Sequence, residues 1–496
     1  MDELKKQANA SAFEEVGDCR QHGSGAADAC AEPSKKLSES ERRMDSEPMR
    51  SLVIKYSIPT IIGMLVNSLY GIVDRFWVGQ IPEVGSASLA GVGLSLPITN
   101  IIMALSMLVG IGAAANISLQ LGRQDRAGAQ ATAANGLTLI VILSLAFAAL
   151  GTAFSRQLLS LAGATPDLMP YALPYSRVVI AGSIFNMTSF AMNHPIRAAG
   201  DPRRFAMTQM AGGFANMILD PIFIFIFHMG AVGAAVATII SQAAAACLIF
   251  SYYFKSDSPL KLSLSNMILR RKTVAAIFSI GASPFFMQLG NSLTVVVANH
   301  SLAKYGLRDL GREGDVIAIG AMTIISSVNM LFCMPVFGVN QGSQPIIGFN
   351  YGRRSASRVK DAFKWAVICA CAITTAGFIA VEAGAEILVK AFNRDPSLVK
   401  TGSQGMRIFL CTLPILGFQI PSTNFFQAIG RAKISMLLSA LRQLLLLIPA
   451  YIILPPILGF KGVWMAGPTS DLIATAVSAF FIAREFKRID GRLESG

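Results

Sequence analysis

Long apolar stretches separated by short polar segments make up most of the chain after residue 50. Stretches such as 137–154, 223–254 and 441–458 are near or above the length that crosses a hydrocarbon core of about 30 Å as a helix. Twelve such stretches predict membrane-spanning helices, numbered here span 1 to span 12. Their approximate limits are 51–78, 87–112, 131–156, 172–198, 205–228, 230–254, 275–303, 316–348, 362–390, 405–430, 434–457 and 462–484. The pattern predicts an all-α protein that crosses the membrane repeatedly.

The composition agrees with this interpretation. A soluble domain is roughly 45 to 50% apolar and about 25% charged, whereas this chain is 53% hydrophobic and 14% charged. Most of the charged residues lie in the short segments between the apolar stretches. The lipid bilayer is therefore the expected surroundings of the chain.

Lys and Arg are concentrated in alternate connections, after spans 2, 4, 6, 8 and 10. These residues are Arg123 and Arg126; Arg197, Arg203 and Arg204; Lys255, Lys261, Arg270, Arg271 and Lys272; Arg353, Arg354, Arg358 and Lys360; and Arg431 with Lys433. The connections after spans 1, 3 and 5 carry none. Because basic loops stay in the cytoplasm, both termini are expected there, in a multi-pass protein of the plasma membrane. The net charge of +13 then reflects topology and contact with anionic lipid, so no nucleic-acid partner is expected.

Two further segments lie outside the apolar pattern. Residues 1–50 are polar and mixed in charge, with no apolar core of a signal peptide, and predict a disordered cytoplasmic tail. Deleting residues 1–45 is therefore expected to leave the activity of the protein nearly intact. Cys19, His22 and Cys30 in this tail fit no zinc spacing. Residues 255–274 are a cytoplasmic linker between an N-terminal lobe (51–254) and a C-terminal lobe (275–484), and 485–496 form a second cytoplasmic tail.

A faint internal repeat relates these two lobes. GAAANISLQLGRQDRAGAQ from Gly112 resembles GSQPIIGFNYGRRSASRVK from Gly342, and RAAGDPRR around Gly200 resembles QAIGRAKI around Gly430, both at a shift of 230 residues. Two six-helix halves follow, related by a pseudo-two-fold axis along the membrane normal because an even number of helices keeps both halves in the same orientation. Paired halves with a binding site between them are common among transporters.

The stretch FANMILDPIFIFIF in span 5 contains an acid within an apolar run. A carboxylate inside a membrane is costly and is a functional-site hypothesis by default. Asn216 and Asp220 are four residues apart, so they lie on one helix face. Pro221 has no N–H and leaves the carbonyl of Met217 without its helical partner. A polar, slightly broken helix of this kind is typical of an ion pathway.

Several motifs together resemble a known family. They are PTIIGMLVNSLYGIVDRFWVG in span 1, the glycine-rich end of span 2 leading to LGR, RAAGDPRR, NMILDP and the matching second half. Together they are similar to the multidrug and toxic compound extrusion (MATE) transporters, in the bacterial branch of DNA-damage-inducible and staphylococcal multidrug pumps. The resemblance covers about residues 50–485. It implies twelve spans, efflux activity and a cation site.

The resemblance also assigns residues. The cation ligands of the family fall on Asp74, Asn216, Asp220 and Thr238. The family's proline in the first helix falls on Pro59, and Pro59 and Pro221 are both expected to be bending points. Each residue has an alternative: Asp74 as the partner of a basic residue, Asn216 and Thr238 as links between helices, and Pro59 as an ordinary kink.

The coupling ion stays open between Na+ and H+, and no other cofactor is expected. Four oxygen-bearing side chains suit a hard cation such as Na+. Burial favours the protonated form of a carboxyl group, so the same acids also suit protons.

Polar residues expected along the substrate cavity include Asn67, Tyr70, Gln288, Asn291, Gln419, Asn424 and Asp471. Spans 7 and 10 carry amides and no carboxylate, which places ion coupling in the first half. Asp471 either pairs with Arg442 or contacts substrate, and both interpretations stay open.

These features predict a secondary active transporter and no enzyme. It would export amphipathic, cationic drugs or toxic metabolites in exchange for Na+ or H+, as a monomer. An enzyme needs a constellation such as H-E-x-x-H, which is missing from the sequence, and a channel needs neither paired halves nor a coupling site. The alternative is a flippase or exporter of a lipid-linked or secondary-metabolite precursor, for which Arg75 and Arg442 supply too few cavity cations.

Overall fold

A computed structural model of the protein describes residues 39–81, 85–162, 166, 168–254, 258–311, 314–392 and 395–491. Within these residues every regular element is a helix. The helices are Glu39–Ser46, Met49–Gly79 (span 1), Gly85–Leu94 with Leu96–Gly122 (span 2), Arg126–Ala153 (span 3), Ser155–Leu161, Met169–Ala181 with Ser183–Ala198 (span 4), Pro202–Pro221 with a π-helix Ile222–Ile226 (span 5), Gly230–Tyr253 (span 6), a 3-10 turn Leu264–Asn266, Arg271–Leu310 (span 7), Gly314–Gly352 (span 8), Ala356–Phe392 (span 9), Pro396–Phe409 with Leu413–Ala428 (span 10), Ala432–Ala440 with a π-helix Leu441–Leu447 and Ile448–Leu458 (span 11), and Phe460–Gly491 (span 12). The predicted all-helical membrane fold is confirmed.

Spans 4 and 10 are each divided into two shorter helices, so neither crosses as one long apolar helix. In the described part of the chain, ten helices are long and apolar enough to cross a membrane, and span 10, whose two parts meet at 50°, makes an eleventh. Span 4 is divided at Gly182 into helices of 13 and 16 residues. A Cβ added at Gly182 would collide with the side chain of Ile239 in span 6, so the break lies where spans 4 and 6 pack most closely.

The repeat predicted at a shift of 230 residues is visible in the backbone. Gln124 and Arg354, which are 230 residues apart, both have positive φ, at 62° and 60°. Gly200 and Gly430, at the same separation, have φ of 93° and 75°. Non-glycine residues rarely adopt positive φ, so this agreement indicates that the connections after spans 2 and 8 share one turn geometry.

Glycines at repeat-related positions also make close contacts between the halves. Gly112 of span 2 packs on Ile277 of span 7, and Gly342 of span 8 packs on Ser57 of span 1. The two helix pairs, span 2 with span 7 and span 8 with span 1, are the pairs that a pseudo-two-fold axis between the halves would exchange. Glycine has no side chain that would hold these helices apart, so their backbones approach closely.

The connections after spans 2, 4, 8 and 10 and the two terminal helices meet at one end of the bundle, called here the basic end. Contacts that join them include Arg126 with Glu41, Arg353 with Asp45, and Arg431 with Glu485. At this end Gly122 of span 2 meets Gly352 of span 8, its equivalent in the repeat. A Cβ added to Gly122 would lie 3.0 Å from Gly352 Cα and 2.9 Å from the carbonyl carbon of Phe349. The basic end is therefore closed, and this pair is called the glycine contact.

Three predicted boundaries are wrong in detail. Residues 39–46 and 49–50, assigned to the disordered tail 1–50, belong to helices, and Glu41 and Met44 are buried. The expectation that deleting 1–45 leaves transport intact therefore loses its basis for residues 39–45. Residues 1–38, including Cys19, His22 and Cys30, lie outside the described residues. Span 12 continues through Gly491, into the predicted tail 485–496.

The linker predicted at 255–274 ends earlier, because span 7 begins at Arg271. Asn135 of span 3 holds its last part: the Asn135 amide nitrogen donates to the carbonyls of Asn266 and Ile268, at 2.8 and 3.2 Å, and the backbone N–H of Arg270 donates to its amide oxygen at 2.7 Å. The start of the second half is thus fixed to a helix of the first.

Candidate functional site

Spans 5 and 6 bring three of the four predicted ion-site residues together. The amide nitrogen of Asn216 donates to Asp220 Oδ1 at 3.0 Å and to Thr238 Oγ1 at 3.3 Å. Asp220 is fully buried and Asn216 is nearly so. The i, i+4 spacing in span 5 and the antiparallel return of span 6 therefore produce the predicted cluster.

Among the described residues, two oxygen atoms of this cluster find no hydrogen-bond partner. They are Asp220 Oδ2 and Asn216 Oδ1, and both are buried. A buried acceptor without a partner is costly, and a bound cation or a proton on the carboxyl group would satisfy it. The available donors are carboxylate, amide and hydroxyl oxygens, which suit a hard cation such as Na+.

Asp74 of span 1 is the fourth predicted residue. It lies close enough to Asp220 for the two carboxylates to interact electrostatically, and it is half-buried. Two neighbouring carboxylates repel each other when both are charged. A cation or a shared proton between spans 1 and 5 would relieve this repulsion.

The end of span 5 has an irregular backbone. The α-helix ends at Pro221, directly after Asp220, and a five-residue π-helix follows. Proline cannot donate the next helical hydrogen bond, and π-turns within helices are frequent at functional sites. The predicted break at Pro221 is therefore present beside the carboxylate.

Pro59 lies inside the uninterrupted helix of span 1. Its neighbour Thr60 donates from Oγ1 to the carbonyl of Gly338 in span 8 at 2.7 Å. Span 1 is thus attached to the second half at the level of this proline. The role of Pro59 as a hinge stays a prediction.

The predicted cavity residues do not form one cluster. Gln288 of span 7 donates to Asn100 of span 2 at 3.3 Å, and Asn291 accepts from Gln443 of span 11 at 3.3 Å. Asn424 donates to the carbonyl of Asn340 at 3.0 Å. The remaining members are Gln419, buried in span 10, and Asn67 and Tyr70, half-buried in span 1.

Asp471 makes the pairing that the sequence suggested. Its Oδ1 lies 2.7 Å from Nε of Arg442, and its Oδ2 accepts from Thr412 Oγ1 at 3.3 Å. This contact confirms the predicted partner and leaves the substrate interpretation of the pair open.

Sequence reasoning missed Arg197, which it counted only as a loop cation. Arg197 is 1% exposed, and its Nη2 contacts His194 Nδ1 at 3.1 Å and donates to Gln344 Oε1 of span 8 at 2.9 Å. It therefore links the two halves near the basic end. Its position within the last turn of an apolar span, four residues before the turn at Asp201, was the available signal.

An all-helical bundle of two repeated halves, with a buried oxygen-donor cluster in one half, is the architecture of a membrane transporter. The MatE family model matches residues 59–222 and 310–452, which is more than half of the chain. The chain belongs to the MatE family, and the resemblance stated from the motifs is confirmed. It is a multi-pass membrane protein and not an enzyme.

Relatives and solved structures match nearly the full length. The chain is 26% identical to the multidrug export protein MepA of Staphylococcus haemolyticus, over 86% of this chain and 91% of that protein, and 26% identical to MepA of Staphylococcus aureus strain MRSA252, over 87% and 93%. A MATE crystal structure in complex with MaD3S is 25% identical, with a TM-score of 0.85, over 92% of this chain and 100% of that one. An outward-facing multidrug resistance MATE transporter of the MOP superfamily, 24% identical over the same shares, has a TM-score of 0.84 and shares the fold.

Proposed function

We propose that the chain is a secondary active efflux transporter that exports amphipathic, cationic drugs or toxic metabolites in exchange for Na+ or H+. The observation that carries this proposal is the buried cluster of Asp220, Asn216 and Thr238, with two acceptors that lack a partner. The staphylococcal relatives, which match most of the chain, are named as multidrug export proteins. These names support export as the direction of transport and more than one drug as its substrates.

The proposed setting is the plasma membrane, with the basic end in the cytoplasm. The excess of Lys and Arg at that end supports this orientation. The protein acts as a monomer on small molecules and has no nucleic-acid partner. Substrate enters a cleft between the halves when the basic end opens. It leaves on the opposite side of the membrane when the basic end is closed and the cleft opens outward.

The closed basic end supports alternating access between the halves. The glycine contact and the contacts of Gly112 and Gly342 join the halves through their backbones. An ion can drive the cycle only by binding one conformation more tightly than the other. The cluster in spans 5 and 6, with Asp74 on span 1, is placed to do so because span 1 also contacts span 8.

The identity of the coupling ion is tested with Thr238→Val, which removes one oxygen and keeps the volume of the side chain. Proteoliposomes that contain a fluorescent cation receive either a Na+ gradient or a pH gradient alone. We expect Na+-driven efflux to fall roughly fivefold or more, as expected for loss of one polar contact, and H+-driven efflux to fall less.

The matched control is Thr323→Val, whose hydroxyl is exposed and bonds only within its own helix, to the carbonyl of Ile319. This variant should retain both activities. Equal retention of both activities by Thr238→Val would remove Thr238 from the ion site. Wild-type vesicles that export the dye under neither gradient would contradict the proposed function itself.

A further inference from the structure

The second half contains its own charged site, formed by Arg442 and Asp471. Asp471 is 5% exposed, and both of its carboxylate oxygens are engaged, one by Arg442 Nε and the other by Thr412 Oγ1. Spans 10, 11 and 12 each supply one of these three residues. The carboxylate is thus fixed in place, and it fixes the guanidinium in turn.

The pair lies near the middle of the membrane. Arg442 is the eleventh residue of the apolar helix 432–458, which places it about 15 Å from the start of that helix at a rise of 1.5 Å per residue. Lipid headgroups lie at the two surfaces of a core of about 30 Å. A headgroup is therefore too far away to be the natural partner of Arg442.

Only one edge of the guanidinium is used. The described residues provide a hydrogen-bond partner for Nε, but none for Nη1 or Nη2. Neither nitrogen is a buried atom without a partner, and the side chain of Arg442 is 27% exposed. The two Nη groups therefore face accessible space.

Arg442 is surrounded by spans of the second half. Cys333 of span 8 and Tyr451 of span 11 are in electrostatic range of Arg442, and Asp471 holds it against span 12. A charged edge that faces lipid at this depth is very costly, whereas a polar cleft accommodates it. A polar cleft is therefore the expected surroundings of the open edge of Arg442.

The backbone at Arg442 is also unusual. Arg442 lies in the π-helix Leu441–Leu447, and the only other π-helix in the described part of the chain follows Asp220. Thr294 of span 7 donates from Oγ1 to the carbonyl of Gln443 at 3.3 Å, within this π-helix. Each half therefore has a π-helix beside a charged group.

We propose that Arg442 contacts substrate and binds an anionic group, such as a carboxylate, sulfonate or phosphate, through Nη1 and Nη2. Two parallel N–H groups match the oxygens of such a group. Asp471 is a positioning residue that holds the guanidinium through Nε. The inference rests on the proposed function and adds to it that substrates with an anionic substituent are recognised in the second half.

The test is equilibrium binding of two amphipathic cationic dyes that differ only in a carboxylate and its methyl ester. Binding to the purified full-length protein is followed by fluorescence anisotropy without any ion gradient, so that the result does not depend on transport. We expect Arg442→Gln to weaken binding of the carboxylate dye about tenfold or more, as loss of a charged hydrogen bond implies. Binding of the ester should change less than twofold.

Two further variants separate recognition from structure. Arg308→Gln, a mostly exposed arginine in span 7, should leave binding of both dyes unchanged. Arg442→Lys keeps the charge but not the paired N–H groups, so it should weaken binding of the carboxylate dye by less than the glutamine variant. An equal loss for both dyes in Arg442→Gln, or no loss for either, would overturn the proposal. Failure of gradient-driven efflux with dye binding intact would instead count against the proposed function.

A separate observation concerns the helix Glu39–Ser46, called here the strap. On the first half, Ser40 Oγ donates to the carbonyl of Ala199 at 3.0 Å. Glu41 pairs with Arg126 at 2.5 Å, and the side chain of Glu41 is 2% exposed. The strap is thus fixed to the connections after spans 2 and 4.

The same helix is bonded to the second half. Asp45 pairs with Arg353 at 2.7 Å. The carbonyl of Met44 accepts from Asn350 at 3.3 Å and from Arg358 at 2.9 Å. Eight residues therefore join the two halves at the closed basic end.

We infer that the strap is a latch that stabilises the conformation closed at the basic end. Glu41 and Asp45 bind opposite halves, so both ion pairs hold only while the basic ends of the halves stay together. Partly buried pairs with short distances contribute more than exposed ones. Loss of either pair should shift the conformational equilibrium towards an open basic end.

The latch is tested by measuring the distance across the basic end with spin labels. Arg203 and Lys433 are both exposed and are 230 residues apart, so cysteines at these positions report on equivalent sites of the two halves in a protein lacking its native cysteines. Asp45→Asn and Glu41→Gln should each raise the ratio of open to closed populations roughly threefold or more, which corresponds to an ion pair of moderate strength.

Charge reversal provides the decisive comparison. Asp45→Arg should open the basic end, and combining it with Arg353→Asp should restore the closed population. Glu386→Gln, which removes an exposed pair with Lys390 in span 9, should leave the distances unchanged. Unaltered distances in Asp45→Asn and Glu41→Gln, or no restoration by the reversed pair, would overturn the latch.

Discussion

Efflux of a fluorescent cation is expected to cease when either Asp74 or Asp220 is replaced by asparagine, with the protein still folded in the membrane. Each substitution removes a negative charge and preserves the shape of the side chain. A transporter coupled to a cation needs a group that gains and loses that cation during the cycle. An amide takes up no proton at neutral pH and offers a bound Na+ no negative charge. The measurement is gradient-driven efflux from proteoliposomes, compared with vesicles that contain no protein.

Asp220 is the more sharply defined of the two positions. One of its oxygens accepts from Asn216, and the other is buried without a partner. Asparagine at position 220 can keep the first contact, so the fold of spans 5 and 6 should survive. Folding is checked by thermal unfolding, and Glu386→Gln serves as a control because it neutralises an exposed carboxylate in span 9. Efflux at the wild-type rate in Asp74→Asn or Asp220→Asn would refute the role assigned to that residue.

The pattern of the sequence predicts this site well because local rules determine it. The spacing of Asn216 and Asp220 fixes a shared helix face, and a short turn returns span 6 beside that face. The choice of Thr238 within span 6 came from the family resemblance. The link of Asp74 to the same cluster needed the family resemblance, because no spacing rule joins span 1 to span 5. Sequence and structure therefore agree where the geometry is set within one helical hairpin.

The strap shows where such reasoning fails. ESERRMDS is polar and only eight residues long, and isolated helices of that length are unstable in water. Its helix depends on contacts with Arg126, Arg353 and Arg358, which lie far along the chain. Composition predicts disorder for such a segment, because its partners cannot be recognised from its own residues.

Arg197 illustrates a second limit. A basic residue at the end of a span predicts a solvated cation that sets topology. In the structure Arg197 is buried against His194 and Gln344, because the repeat brings spans 4 and 8 together at the basic end. The distinction between a solvated and a buried arginine depends on packing between the halves, which the pattern of one span does not contain.

The glycine contact yields the second large effect. In Gly122→Leu we expect the basic end to remain open and efflux to fall at least about tenfold, since a closed state made less favourable by 1.4 kcal/mol or more is at least ten times less populated. Even a Cβ at Gly122 would meet the backbone of Phe349 and Gly352, and backbone atoms cannot rotate away as a side chain does. The first half should still fold, because the collision involves span 8 of the other half.

The distance between labels at Arg203 and Lys433, together with dye efflux, measures this outcome. Gly93→Ala is the control, since a Cβ at Gly93 would meet no neighbouring element among the described residues within 4 Å, and it should retain closed distances and normal efflux. Gly352→Leu should reproduce the effect of Gly122→Leu, because the two glycines meet across the pseudo-two-fold axis and either new side chain separates the same two helices. A closed basic end with wild-type efflux in Gly122→Leu would show that spans 2 and 8 can close without this backbone contact.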